Sequence, residues 1–231
     1  MIIALNNKSN LEKEEFNSYL INLNNINTTN PIILCPTFLN VPLFQSDKIF
    51  LGAQNVSKNK SGAYTGEISA SQLKSHNVKF CIVGHSERRQ LLNETDNDIA
   101  EKIKLLLENE IIPILCIGET QEEYNNKETK NILYKELMNA LIGLSEREIS
   151  KIIVAYEPIW SIGTGLIPTI EEIDTNLEYI KSLLPGNKVL YGGSANDENI
   201  DILKTSNYID GYLLGGLSLK PDKLQMFINK L

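Results

Sequence analysis

The stretch Lys151-Ile-Ile-Val-Ala-Tyr-Glu157-Pro-Ile-Trp160-Ser-Ile-Gly163-Thr-Gly165 is an apolar run that ends on a carboxylate and enters a loop bounded by Pro158 and two glycines. An ionised carboxylate in apolar surroundings is costly, so Glu157 must either meet a cation or face a cavity. The stiff loop argues for the cavity, with Glu157 as a base and the loop as a lid. The other reading is an ordinary connection whose glutamate makes a structural ion pair. His85, one of two histidines, lies in Gly84-His85-Ser86-Glu87, where a strand hands over to a helix. A helix amino terminus disfavours imidazolium, and a neutral imidazole can still donate a hydrogen bond to a carbonyl oxygen. The alternative for His85 is a hydrogen-bonded core residue, and His76 reads as a solvated loop residue. Lys8 follows Asn6 and Asn7 at the end of the first apolar run, where an ammonium offsets charge on a phosphate or a developing oxyanion. It is otherwise a surface lysine or a Schiff-base nucleophile. The latter needs an apolar pocket, which Asn6, Asn7 and Glu87 do not make.

Eight short apolar runs must position these groups: Ile2–Asn6, Pro31–Cys35, Ile49–Gln54, Lys79–Gly84, Ile112–Gly118, Lys151–Glu157, Lys188–Gly193 and Ile209–Gly216. Continuous Val/Ile/Leu runs mark strands buried on both faces, as parallel sheets require. Helical stretches between them, such as Asp98–Glu110 and Ile170–Leu184, predict repeated βα units. The expected fold is α/β, a closed (β/α)8 barrel forming one domain over residues 1–231, with a doubly wound open sheet as the alternative. Pro36–Lys48 leaves little room for a helix, so the second unit is expected to be reduced. In a barrel the chemistry gathers at the carboxyl ends of the strands, which brings Asn6, Lys8, His85, Glu87 and Glu157 to one rim. Gly192-Gly193-Ser194 and Gly215-Gly216 end the last two strands there, in loops that commonly bind phosphate through backbone N–H groups.

Composition narrows the partners. A net charge of -7 with 22 scattered basic residues opposes a nucleic-acid surface. Met1–Leu5 is too short for a signal sequence and no run is long enough to span a membrane, so a cytoplasmic location is expected. Cys35, Cys81 and Cys116 each fall inside an apolar run, in a number and spacing that suit neither disulfides nor zinc, and read as buried free thiols.

Several motifs are more specific: Asn6-x-Lys8, Ala53-Gln54-Asn55, Gly62-Ala-Tyr-Thr65-Gly-Glu-Ile-Ser69, Val83-Gly-His85-Ser-Glu87-Arg-Arg89, Cys116-Ile-Gly-Glu119, Ala155-Tyr-Glu157 through Gly165, Tyr191-Gly-Gly-Ser194 and Gly215-Gly216-x-Ser218-Leu-Lys-Pro221. Together they make the chain resemble the triosephosphate isomerase family nearly end to end. The resemblance implies interconversion of dihydroxyacetone phosphate and glyceraldehyde 3-phosphate, with Glu157 as base, His85 as electrophile, Asn6 and Lys8 in the substrate site and Glu87 counted with the catalytic group. It implies phosphate contacts from the backbone of Gly163, Ser194, Gly215 and Gly216, and no cofactor or metal. It also implies a homodimer in which the Gly62–Ser69 loop enters a second subunit, with Thr65 near the partner's site. Ile159, Trp160 and Ile162 are apolar where a mere loop would be polar, and closing them over the substrate is expected to dry the site. Asn7 and Ser9 stand where the family commonly has an aromatic residue and Met, and Leu166 where it often has Lys, so interface packing and lid kinetics are expected to differ. Two other classes remain: a sugar-phosphate lyase using Lys8, and a non-catalytic scaffold, whose mark would be loss of Glu157 or His85.

Overall fold

Each apolar run finds a parallel neighbour on both sides. In the computed structural model, which describes residues 1–231, the strands close into a barrel in chain order. They are β1 (Ile2–Asn6), β2 (Ile32–Cys35), β3 (Ile49–Ala53), β4 (Phe80–Val83), β5 (Ile112–Ile117), β6 (Ile153–Tyr156), β7 (Val189–Tyr191) and β8 (Gly211–Leu214). The barrel is sealed where Ile2 to Leu5 pair with Gly211 to Leu214. The ladders are shorter than the apolar runs because pairing stops where the chain turns into its loops. Gly84, for example, adopts φ 70° directly after β4.

The helices are α1 (Lys13–Asn24), α2 (Ala70–Ser75), α3 (Ser86–Leu92), α4 (Asp96–Glu108), α5 (Gln121–Asn125), α6 (Thr129–Ala140), α7 (Glu146–Ile149), α8 (Ile170–Leu183), α9 (Ile200–Leu203) and α10 (Pro221–Asn229). The stretch expected at Asp98–Glu110 starts two residues earlier as α4. Thr95 Oγ1 accepts the Asp98 N–H at 3.2 Å while Asp98 Oδ2 accepts the Thr95 N–H at 3.0 Å, a reciprocal cap that sets the start. Between β2 and β3 the chain makes only a 3-10 turn, Phe38–Leu43, with Pro42 inside it. This reduced unit borders an open groove of about 1080 Å³ between Val41–Leu51, the end of α1 and the turn before β4.

Alternation along each strand sorts the side chains. Ala4, Ile33, Cys35, Ile82, Ile114, Cys116, Ile153, Ala155, Leu190 and Leu213 fill the barrel interior. Their neighbours, such as Leu5, Val83, Val154 and Tyr156, join a larger apolar layer that packs against the helices. Two residues beyond the inward set lie Asn6, Gly84, Gly118, Glu157, Gly192 and Gly215, all at the carboxyl end. The same periodicity that buries the core thus delivers Glu157 and Asn6 to the mouth of the barrel. All three cysteines are buried and free, and no helix is long and apolar enough to cross a membrane.

Candidate active site

The mouth holds a cavity of about 390 Å³ lined by Asn6, Lys8, His85, Glu157, Gly163, Ser194, Gly215 and Gly216, so every substrate-site residue expected from the sequence opens onto one space. Glu157 is 2% exposed. Its Oε2 accepts the Ser86 N–H at 3.1 Å, and its Oε1 lies 3.2 Å from His85 Nε2. Two glycines make room for it. A Cβ at Gly192 would sit 2.9 Å from Glu157 Cγ, and one at Gly118 would sit 1.7 Å from the Glu157 carbonyl oxygen. Cys116, inward on β5, lies beside the same carboxylate, and its thiol is raised well above its ordinary value by burial and then by Glu157.

His85 caps α3: its Nδ1 accepts the Glu87 N–H at 3.3 Å. A nitrogen that accepts carries no proton, so the imidazole is neutral with its hydrogen on Nε2, directed at Glu157 and the cavity. Arg89 anchors this strand end, donating from Nε to the Gly84 carbonyl at 2.9 Å and from Nη1 to Asp96 Oδ1 at 2.6 Å.

Lys8 occupies the left-handed region at φ 52°. A non-glycine residue there carries strain of order 1–3 kcal/mol, so its neighbours must hold it. Asn6 Oδ1 accepts the Lys8 N–H at 3.0 Å, and Gln54 Nε2 donates to the Lys8 carbonyl at 2.8 Å. The Lys8 ammonium pairs with Glu87 Oε1. One residue therefore serves both partners, fixing the His85 tautomer through its backbone and restraining Lys8 through its carboxylate.

Beside the Lys8 side chain, the amides of Gly215 and Gly216 make no hydrogen bond within the protein. The other two expected anion donors are engaged: Gly163 N–H donates to Ser194 Oγ at 3.1 Å and Ser194 N–H to Ser161 Oγ at 3.3 Å. The Pro158–Pro168 segment is thereby fastened to the loop after β7, with Ser194 Oγ donating to the Ser161 carbonyl at 2.6 Å. Of the three apolar lid residues, only Ile162 lines the cavity. Trp160 turns away from it, donating from Nε1 to Glu119 Oε1 at 3.0 Å and packing against Tyr124. In this structure Trp160 is held away from the cavity because a half-buried indole N–H needs an acceptor, and Glu119 supplies it. Thr65 is exposed, as is the whole stretch from Gly62 to Glu67.

Glu119, quoted above in a motif but given no role, lies behind the cavity and supports the lid entry. It is wholly buried at the end of β5 and accepts from Trp160 and, at 3.2 Å, from the Tyr156 hydroxyl. Its second oxygen has no partner. Burial pushes its carboxyl up to about 7, against the lowering effect of these bonds. Burial likewise raises Glu136 to about 7 despite Arg89, and Glu136 Oε2 accepts the Gly118 N–H at 3.0 Å. A carboxyl raised in the folded state binds its proton more tightly there than when unfolded. Its stability penalty is therefore absent below the unfolded value, grows between about pH 4.3 and pH 7, and is constant above. Glu119→Gln is expected to remove on the order of 3 kcal/mol of this decline, leaving the share due to Glu136. Urea unfolding at pH 5, 6, 7 and 8 measures the slope, and an unchanged slope in the variant contradicts the assignment.

The comparisons agree with the geometry. The chain matches the family described as Triosephosphate isomerase over residues 1–231. It is 43% identical over 212 residues to a protein named triosephosphate isomerase from Mycoplasmopsis pulmonis (strain UAB CTIP), covering 89% of this chain and 84% of the relative. Identity is 42% over 224 residues to the protein of that name from Mesomycoplasma hyorhinis, covering 94% and 91%. With the one from Ruthia magnifica subsp. Calyptogena magnifica it is 38% over 234 residues, covering 95% and 94%. A closed eight-stranded barrel with a carboxylate and a neutral imidazole at its mouth, matched from end to end, places this chain in the triosephosphate isomerase family.

Proposed function

We propose that Glu157, His85, Lys8 and Asn6 carry out here the reaction of the family, the interconversion of dihydroxyacetone phosphate and D-glyceraldehyde 3-phosphate in glycolysis and gluconeogenesis. The observation that supports this most is the 3.2 Å approach of His85 Nε2 to Glu157 Oε1 with His85 Nδ1 occupied by a backbone donor. A base and a neutral electrophile then face the same cavity as two unengaged glycine amides. The phosphate binds the Gly215 and Gly216 N–H groups, with the Gly163 and Ser194 amides turning to it from their present partners. Glu157 takes the proton from the carbon next to the carbonyl. His85 Nε2–H and the Lys8 ammonium stabilise the enediolate oxygen that forms. Glu157 returns the proton to the neighbouring carbon. The C–H electrons move into the new carbon–carbon double bond and return to form the new C–H bond, while the hydroxyl proton passes from one enediolate oxygen to the other beside His85 Nε2, so atoms and electrons balance without a cofactor. Asn6 and Glu87 hold Lys8 in position.

This reading includes a cytoplasmic homodimer. Three buried free thiols suit a reducing compartment. The exposed Gly62–Glu67 loop and the apolar Leu91 and Leu92, 74% and 61% exposed, suit a covered surface. Sedimentation of the fully active protein as a monomer would remove the dimer.

A coupled assay tests the function: glyceraldehyde 3-phosphate is supplied and the ketose product is reduced by an NADH-linked dehydrogenase. Turnover that persists through borohydride treatment, with no adduct on Lys8, is expected. A trapped Lys8 imine together with lost activity would instead identify a lyase.

A further inference from the structure

Tyr124 does not line the cavity and has no role in the proton transfer, yet it contacts Trp160 at the entry of the Pro158–Pro168 lid and Glu172 in the first turn of the helix that follows the lid. Its ring lies 4.7 Å from the Trp160 ring, centroid to centroid, with the planes inclined by 37°. Its hydroxyl donates to Glu172 Oε1 at 2.7 Å. Glu172 Oε2 accepts the Thr169 N–H at 2.9 Å and so caps α8, which starts where the lid ends. Trp160 sits at the lid's entry, with its N–H held by Glu119. The Ile159 N–H donates to the Glu119 carbonyl at 3.0 Å, fixing the backbone at the same point. Lid entry, lid exit and the short helix α5 thus meet through one half-exposed tyrosine.

We propose that Tyr124 is a positioning residue for the lid: its ring seats the Trp160 indole, and its hydroxyl ties that seat to Glu172 at the start of α8. The proposal rests on the reading of residues 158–168 as a lid over the active site. A loop carrying a substrate contact on Gly163 works best when its two ends are fixed and only its middle travels. The seat supplies that constraint from outside the site. An aromatic pair of this geometry shifts a two-state equilibrium by about two- to tenfold, enough to change the closed population without deciding whether the protein folds.

Trp160 is the only tryptophan in the chain, so its emission reports on the seat directly. Native protein, Tyr124→Phe and Tyr124→Leu are compared in three measurements: Trp160 emission with and without glycerol 3-phosphate, an unreactive three-carbon phosphate ester; kcat and KM for isomerisation; and thermal unfolding. Tyr124→Leu is expected to shift the emission of the free protein to the red, to reduce its response to glycerol 3-phosphate, and to lower kcat/KM about fivefold. Tyr124→Phe, which keeps the ring and loses the tie, falls between it and native. A lowered melting temperature with native emission response and native kcat and KM shows mere packing and overturns the proposal. Should Tyr124→Leu not fold, Tyr124→Phe decides, and native behaviour in it overturns the proposal. A native protein that isomerises the substrate while its Trp160 emission ignores the ester overturns the lid reading and the seat together. A responsive native protein with unchanged variants overturns the seat alone.

Discussion

Glu157→Gln is expected to lower kcat by about 10³- to 10⁴-fold, because a general base in position contributes on that order. Glutamine keeps the shape of the side chain and one oxygen to accept the Ser86 N–H, so the barrel and cavity remain. It has no affinity for a carbon-bound proton. The amide also turns an N–H toward His85 Nε2–H, which stands 3.2 Å from Glu157 Oε1, so two donors face each other where donor and acceptor now meet. Steady-state rates from the aldose and the ketose should fall by the same factor, since one base serves both directions and the equilibrium is not altered. Residual activity comes from the donors left in place, His85 and Lys8. A loss below about tenfold in both directions would contradict the role of Glu157 as the base.

Gly118→Ala is expected to be the most damaging single-methyl change at the mouth of the barrel. The added Cβ would lie 1.7 Å from the Glu157 carbonyl oxygen and 2.6 Å from its carbonyl carbon. Both are backbone atoms that cannot rotate away. Relief requires β5 and β6 to part, which breaks the 2.8 Å bond from Glu157 N–H to the Ile117 carbonyl. Overpacking of this kind costs about 3 kcal/mol or more. The fraction that still folds carries a displaced Glu157, and a misplacement near 1 Å costs about 10²-fold in rate. Urea unfolding and kcat measured on the same preparation should therefore both fall. Loss of stability with native kcat per folded molecule would show that Gly118 supports the strand but does not place the base.

How far the sequence discloses this molecule depends on the range of the interaction. The strands are legible because burial on both faces demands unbroken apolar runs, as in Ile112–Ile117 and Ile153–Tyr156. Strand ends are less so, since pairing stops where the backbone turns, and Gly84 belongs to an apolar run but not to a ladder. The rim residues Asn6, His85 and Glu157 are legible because a polar group that follows a buried strand has few places to go. The support behind the rim is not. Trp160 and Glu119 are 41 residues apart, and Tyr124 and Glu172 are 48 apart. No periodicity links such pairs, and an apolar loop residue reads equally as a cover over substrate or as an anchor beneath the lid. Glu136 is similar: it sits within the helical pattern of α6, and only the fold brings its carboxylate to the Gly118 amide.

Glu157 moves a proton between adjacent carbons through an enediolate. Turnover in deuterium oxide tests it most directly, with product analysed for deuterium bound to carbon. Native protein is expected to place solvent deuterium on the carbon that receives the proton, because a protonated Glu157 exchanges with water during some turnovers, and Glu157→Gln to give neither product nor label on the native timescale. Full turnover by the native protein with no carbon-bound deuterium at any stage, and an equal rate in Glu157→Gln, would mean that hydrogen travels directly from carbon to carbon, and the account would be wrong.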